Sequence, residues 1–119
     1  MIQKFSNLIP IDKNGVHLVK VFHLYNGFSR KTSSIGDFVK VSIKNVKPNN
    51  FLFKKMKLKS FIIRLKFHKF KKDSSSFFFF ENNLILLKKR LSTYGSKVYG
   101  PILKNINRRK LQSSFIKIL

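Results

Sequence analysis

Between Asp37 and Val46 (DFVKVSIKNV) the chain alternates Val39, Val41 and Ile43 with Lys40, Ser42 and Lys44. A period of two belongs to a strand, whose successive side chains leave opposite faces, so this run predicts a strand with one apolar and one basic face. Ser60 to His68 (SFIIRLKFH) sets Phe61, Ile63, Leu65 and Phe67 against Ser60, Ile62, Arg64, Lys66 and His68, and predicts a second strand. Val16 to Leu24 (VHLVKVFHL) is rich in β-branched residues but alternates less cleanly. Phe77 to Phe80 and Leu84 to Leu87 are short apolar runs flanking ENN, readable as a hairpin. Four or five strands are expected.

Turn chemistry separates these runs: KNG near Gly15, YNG near Gly27, SIGD around Gly36, KPNN after the strand that ends at Val46, and KKD before Ser74. Short strands at this spacing predict a closed or nearly closed barrel. After Gly100 the pattern changes. Pro101 suits a first helical position, and Leu103, Ile106, Leu111, Phe115 and Ile118 recur at roughly three-to-four-residue spacing, predicting one or two short capping helices. The expected organisation is one domain over residues 1–119: a mainly β small barrel over about 1–100 and a helical segment over about 101–119.

Charge changes the picture from fold to partner. The chain carries 26 Lys and Arg against 4 Asp and Glu, a formal net charge of +22. An isolated globule of that charge repels itself and is drawn to a polyanion, whereas surfaces built only for solubility mix both signs. From Phe38 through Lys72 there is no acidic residue, and Phe51, Phe53, Phe67 and Phe70 stand among the lysines. Further basic clusters occur at Lys88, Lys89, Arg90 and at Arg108, Arg109, Lys110. Positive charge on several sides with interleaved aromatics suits RNA phosphates, with occasional base stacking. The candidate RNA contacts are Lys44, Lys47, Lys54, Lys55, Lys57, Arg64, Lys66, Lys69, Lys71, Lys72, Arg108, Arg109 and Lys110. Phe at alternating strand positions is more often core than a base platform.

The competing class is a basic, amphipathic protein on an anionic membrane surface. Against it, the charge lies in strand-period segments and turns, not along one amphipathic helix. No window offers the roughly 18 nearly uncharged apolar residues of a spanning helix, so membrane insertion is not expected. There is no Cys, which excludes disulfides and thiolate metal sites. His17, His23 and His68 have no HxxH spacing or clustered carboxylates, and read as ordinary strand histidines. Asp12, Asp37, Asp73 and Glu81 stand singly beside turns, and no nucleophile elbow, phosphate-binding glycine loop or dinucleotide fingerprint is present. Neither an enzyme nor a cofactor or metal is expected.

Seven short motifs add a resemblance: MIQ at the start, DKNG at Asp12 to Gly15, SIGD at Ser34 to Asp37, VKVSIK at Val39 to Lys44, FIIRLK at Phe61 to Lys66, KDSS at Lys72 to Ser75 and VYGPI at Val98 to Ile102. In this order they resemble the universal large-subunit ribosomal protein number fourteen family, over nearly the whole chain. Departures are local. After Lys55 the family's Gly-acidic pair is replaced by Met56 and Lys57, with one residue lost, and the Gly of KDG is Ser74. The family's Gly-acidic-Pro turn reads Leu91, Ser92, Thr93, and the chain stops at Leu119, so a trimmed C-terminal helix is expected.

The resemblance implies a five-stranded β-barrel with a small C-terminal helical region, set against large-subunit rRNA and neighbouring large-subunit ribosomal proteins. It also implies an intersubunit face that contacts small-subunit rRNA in a bridge and docks a ribosome-silencing factor. Here that face falls on Gly95 to Pro101, with Ser96, Lys97 and Tyr99 as its candidate residues. The skew to Lys, Phe, Ile, Asn and Leu suggests an AT-rich genome, and the start lacks a signal core or an Arg-rich leader. The expected place is a mitochondrial ribosome, with synthesis inside the organelle, or otherwise a bacterial-type cytoplasm.

Overall fold

Alternate Val and Ile side chains pair two long strands, β2 (Val16–Leu24) and β3 (Phe38–Val46), with Val19 opposite Ile43 and Val21 opposite Val41. These four residues are fully buried and form the inner face. The computed structural model describes residues 2–12, 15–25, 31–49, 51–67, 69–70, 74, 76–94, 98–102 and 115–118. Besides β2 and β3, the strands are β1 (Asn7–Pro10), β4 (Lys57–Arg64), β5 (Lys69–Phe70), β6 (Ser76–Phe77), β7 (Asn83–Leu87), β8 (Val98–Ile102) and β9 (Phe115–Ile118). Five of them close a barrel in the order β1-β2-β3-β4-β7. Neighbours are antiparallel except at the seam, where β1 runs parallel to β7 with Ile9 opposite Asn83. The mainly β barrel expected from the sequence is present.

Several expectations need correction. β1 takes the place expected for a strand at Phe77 to Phe80. Residues 76–77 pair with 69–70 instead, and the partner of Leu84 to Leu87 is β4. In β4 the register sets Leu58 opposite Val41, Ser60 opposite Val39 and Ile62 opposite Leu84. The inner face therefore carries Ser60 and Ile62, not Phe61 and Ile63. Phe61, on the outer face with Lys59, is nevertheless 2 % exposed. Every residue of β7 is buried, as a continuous apolar run on both faces requires. The segments that follow supply the outer cover: the Phe79 N–H donates to Leu65 O at 3.1 Å, and Val98 joins the core completely buried. Phe67, placed in the core by alternation, is 54 % exposed, because the ladder shifts register between Ile62 and Arg64 and the strand ends there.

Pro101, Ile102, Phe115 and Ile118, expected in helices, lie in β8 and β9, which pair in parallel. The three-to-four spacing of apolar residues there cannot by itself distinguish a helix from a short strand supported by tertiary pairing. Leu103, Ile106 and Leu111 lie outside the described residues, as do Gly27 and Asp73 of the expected turns. The SIGD turn has its predicted chemistry: Asp37 Oδ2 accepts the Ser34 N–H at 2.8 Å, and Gly36 adopts φ +91°. Ser74 and Leu91, which stand where the resembled pattern carries Gly, adopt φ 68° and 60°. Holding a side chain in that left-handed region costs of order 1 kcal/mol.

Candidate nucleic-acid interface

The antiparallel register brings the start of β2, the end of β3, the start of β4 and the end of β7 to one end of the barrel. Lys44 and Lys47 leave β3 there, and Lys47 N–H donates to Gly15 O at 2.9 Å. Lys54 and Lys55 sit in a turn closed by Met56 N–H on Phe53 O at 3.3 Å, with Lys55 at φ 66°. Lys57 opens β4. All five side chains are exposed.

Beside them β7 ends in a second turn, in which Leu91 N–H donates to Lys88 O at 2.9 Å and Lys88 N–H to Ser92 O at 2.8 Å. A left-handed residue directly after such a turn forms a bulge that normally asks for Gly, and Leu91 fills it. Lys88, Lys89 and Arg90 are thereby exposed at the turn. Five of the predicted contact residues therefore share one end with a basic cluster whose place no spacing rule reveals, because it depends on strand pairing.

Rows of charge on the outer face add Lys20, Lys40 and Lys59, which were missing from the predicted set. Lys40 lies directly opposite Lys59, next to His23, and Lys20 and Lys57 flank Ser42 across three strands. Like charges directly opposite destabilise a sheet unless counter-charge is supplied. Aromatic rings on the same surface give partial relief: Lys59 Nζ is 4.5 Å from the Phe38 ring centre and 5.2 Å from that of Tyr25. Lys57 lies 5.6 Å from Phe22, and Lys20 lies 5.5 Å from Phe5. The basic parity of β3 was the available signal for Lys40. Its pairing with Lys59 was not readable without the register.

Arg64 has a different setting from the lysines. It is half-buried, and its Nε donates to Pro101 O at 3.1 Å, tying β4 to β8. A Cβ on Gly100 would stand 2.5 Å from Arg64 Nη2, so the bare backbone of Gly100, at φ +80°, is what admits the guanidinium. Burial pushes the Arg64 pKa below its ordinary value and Glu81 pulls it back, while the guanidinium remains charged. Lys66 is exposed, with its N–H donated to Asn82 Oδ1 at 2.9 Å. Lys69 and Tyr99 are placed by their backbones in β5 and β8. Lys71, Lys72, Ser96, Lys97, Arg108, Arg109 and Lys110 lie outside the described residues.

The family described as "Ribosomal protein L14p/L23e" matches residues 1–119 of the chain. A "Large ribosomal subunit protein uL14m" of Tetrahymena pyriformis is 48% identical over 115 residues, covering 97% of each chain. A "Large ribosomal subunit protein uL14" of Mesomycoplasma hyopneumoniae (strain 7448) is 32% identical over 109 residues, covering 92% of this chain and 89% of that one.

Proposed function

From the premise that this chain belongs to the ribosomal protein L14p/L23e family, and is a structural constituent of the large ribosomal subunit and not an enzyme, we propose that it grips large-subunit rRNA by electrostatic scaffolding. The barrel holds basic turns and rows rigid while their cations neutralise closely packed phosphates. The observation that carries this reading is Lys40 directly opposite Lys59, a like-charge pair that a free protein has no reason to keep and that a phosphate between them stabilises. Lys40→Glu tests it. The exchange turns repulsion into attraction, so the isolated chain should gain about 0.2–1 kcal/mol in a thermal melt. Binding to an rRNA fragment should weaken in the same variant. Unchanged RNA affinity, or weakening that merely follows lost stability, refutes the role.

The likeness to the uL14m protein of Tetrahymena pyriformis supports a mitochondrial ribosome as the place of action, and the skew to Lys, Phe, Ile, Asn and Leu, expected of an AT-rich genome, supports synthesis inside the organelle. Neighbouring ribosomal proteins complete its surroundings there. For the segment Gly95 to Pro101 we propose a bridge to small-subunit rRNA through Ser96, Lys97 and Tyr99, and the docking place of a ribosome-silencing factor. The support is the motif resemblance, together with a hydroxyl and a cation suited to phosphate. Replacing Ser96 with Ala and Lys97 with Glu should leave large-subunit assembly intact and reduce subunit joining in sucrose gradients. Normal joining, or loss of the large subunit itself, counts against the bridge.

A further inference from the structure

A groove of about 410 Å³ lies between the start of β4, the end of β7 and Tyr94. Its rim carries Lys57, Lys59, Lys88 and Lys89, and Met56 and Leu91 are among the apolar residues lining it. We propose that this groove receives an unpaired nucleotide of RNA, its base against the apolar lining and the Tyr94 ring and its phosphates on the rim lysines. The inference rests on the rRNA-binding reading above and adds recognition of a base to recognition of charge.

Three observations carry it. The volume falls within the range of about 300–1,000 Å³ typical of small-ligand sites, and a lining of apolar and aromatic side chains under a charged rim suits a flat base joined to phosphate. Second, the lining holds no acidic side chain that would repel phosphate, and Met56 and Leu91 bring apolar side chains to it, Leu91 despite its left-handed backbone at φ 60°. Third, aromatic surface waits at the site. Lys88 Nζ stands 5.6 Å from the Tyr94 ring centre, and the ring of Phe51, a residue 67 % exposed, lies 5.9 Å from it. A cation resting over a partly exposed ring is held more weakly than a stacked base, so Lys88 can pass to a phosphate as the base takes the ring.

A protein strand is the poorer occupant. Lys57 to Lys59 pair with β3, and Leu87 pairs with Lys59 on one side and bridges Thr93 on the other, which leaves little open edge for strand addition at the groove.

Fluorescence anisotropy with the full-length chain and three probes tests the proposal: a single-stranded octauridylate, the same backbone without bases, and a short RNA duplex. The wild type should bind octauridylate about tenfold more tightly than the abasic strand. Tyr94→Ala should erase that preference while leaving abasic and duplex binding unchanged, and Tyr94→Phe should keep it. Because Tyr94→Ala removes a partly buried ring, Leu91→Gly provides a variant that relaxes the backbone as it strips the lining. It should melt no lower than wild type and still lose most of the preference. Equal wild-type binding of octauridylate and abasic strand overturns the inference, as does a preference that survives both Tyr94→Ala and Leu91→Gly. A hexaglutamate peptide that binds as tightly as octauridylate and depends on Tyr94 would give the groove to an acidic protein segment. Salt-sensitive binding without base preference defeats this proposal alone, whereas failure of every RNA probe defeats the rRNA-binding reading as well.

Discussion

Ile62→Asp should leave the isolated chain without a cooperative melt. Ile62 is completely buried on the inner face of β4, opposite Leu84, in a barrel lined by Leu8, Val19, Val41 and Leu86. A carboxylate there is set among apolar core side chains, and whether it stays charged or takes up a proton, its desolvation costs several kcal/mol. The isoleucine's lost burial adds roughly 2–5 kcal/mol by analogy with large-to-small core changes. Together these come to about 5–10 kcal/mol, comparable with the whole stability of about 5–15 kcal/mol that small domains ordinarily have. β4 already bears one polar burden, since the Ser60 hydroxyl is fully buried without a hydrogen-bond partner among the described residues. Far-ultraviolet circular dichroism against temperature is the measurement. A transition within a few degrees of wild type would mean that Ile62 faces outward, as simple alternation predicts.

Affinity for an rRNA fragment should fall by about 10³–10⁵ between roughly 50 and 200 mM monovalent salt. Each neutralised phosphate releases condensed counterions and contributes about −0.7 to −0.9 to the slope of log affinity against log salt. Lys44, Lys47, Lys54, Lys55, Lys57, Lys88, Lys89 and Arg90 are all exposed at one end of the barrel, so six or more simultaneous phosphate contacts are within its reach. Filter binding across that salt range gives the slope directly. A flat response would remove electrostatics as the source of affinity, and a slope near −1 would reduce the interface to a single contact.

How much of this was legible depends on what lies on each side of a strand. β2 coincides with the run read from Val16 to Leu24, and β3 begins within one residue of its expected start, because one face of each meets the core and the other meets water. β4 misled because both its faces are buried: with Phe61 and Ile63 under a second layer, the side with more apolar residues was not the side facing into the barrel. β1 escaped notice because it has four residues and ends in Pro10, which lacks an amide hydrogen. Local lysine density marked the β3–β4 turn correctly as basic. Lys40 against Lys59, and Arg64 against a carbonyl 37 residues away, arise only once distant segments pair. The groove beside Tyr94 likewise joins residues some thirty-five positions apart in the chain, visible beforehand only as two unrelated departures from a motif.

The parallel seam between β1 and β7 sets the order in which the molecule can form as it is made. β2, β3 and β4 follow one another as antiparallel neighbours and can pair as soon as each emerges, but Ile9 must wait for Asn83 and Pro10 for Leu84. At about 5–20 residues per second of synthesis, that wait lasts several seconds, during which the side of β1 away from β2 and the open side of β4 have no partners. Non-local closure of this kind is the slow step of β-rich folding, since the loop entropy is lost before the contacts are gained. Only two residue pairs define the seam, with amide bonds of 3.4 Å from Ile9 to Asn82 O and 3.2 Å from Ile11 to Leu84 O. The last junction to close is also where a newly made chain, not yet held by RNA, will reopen first.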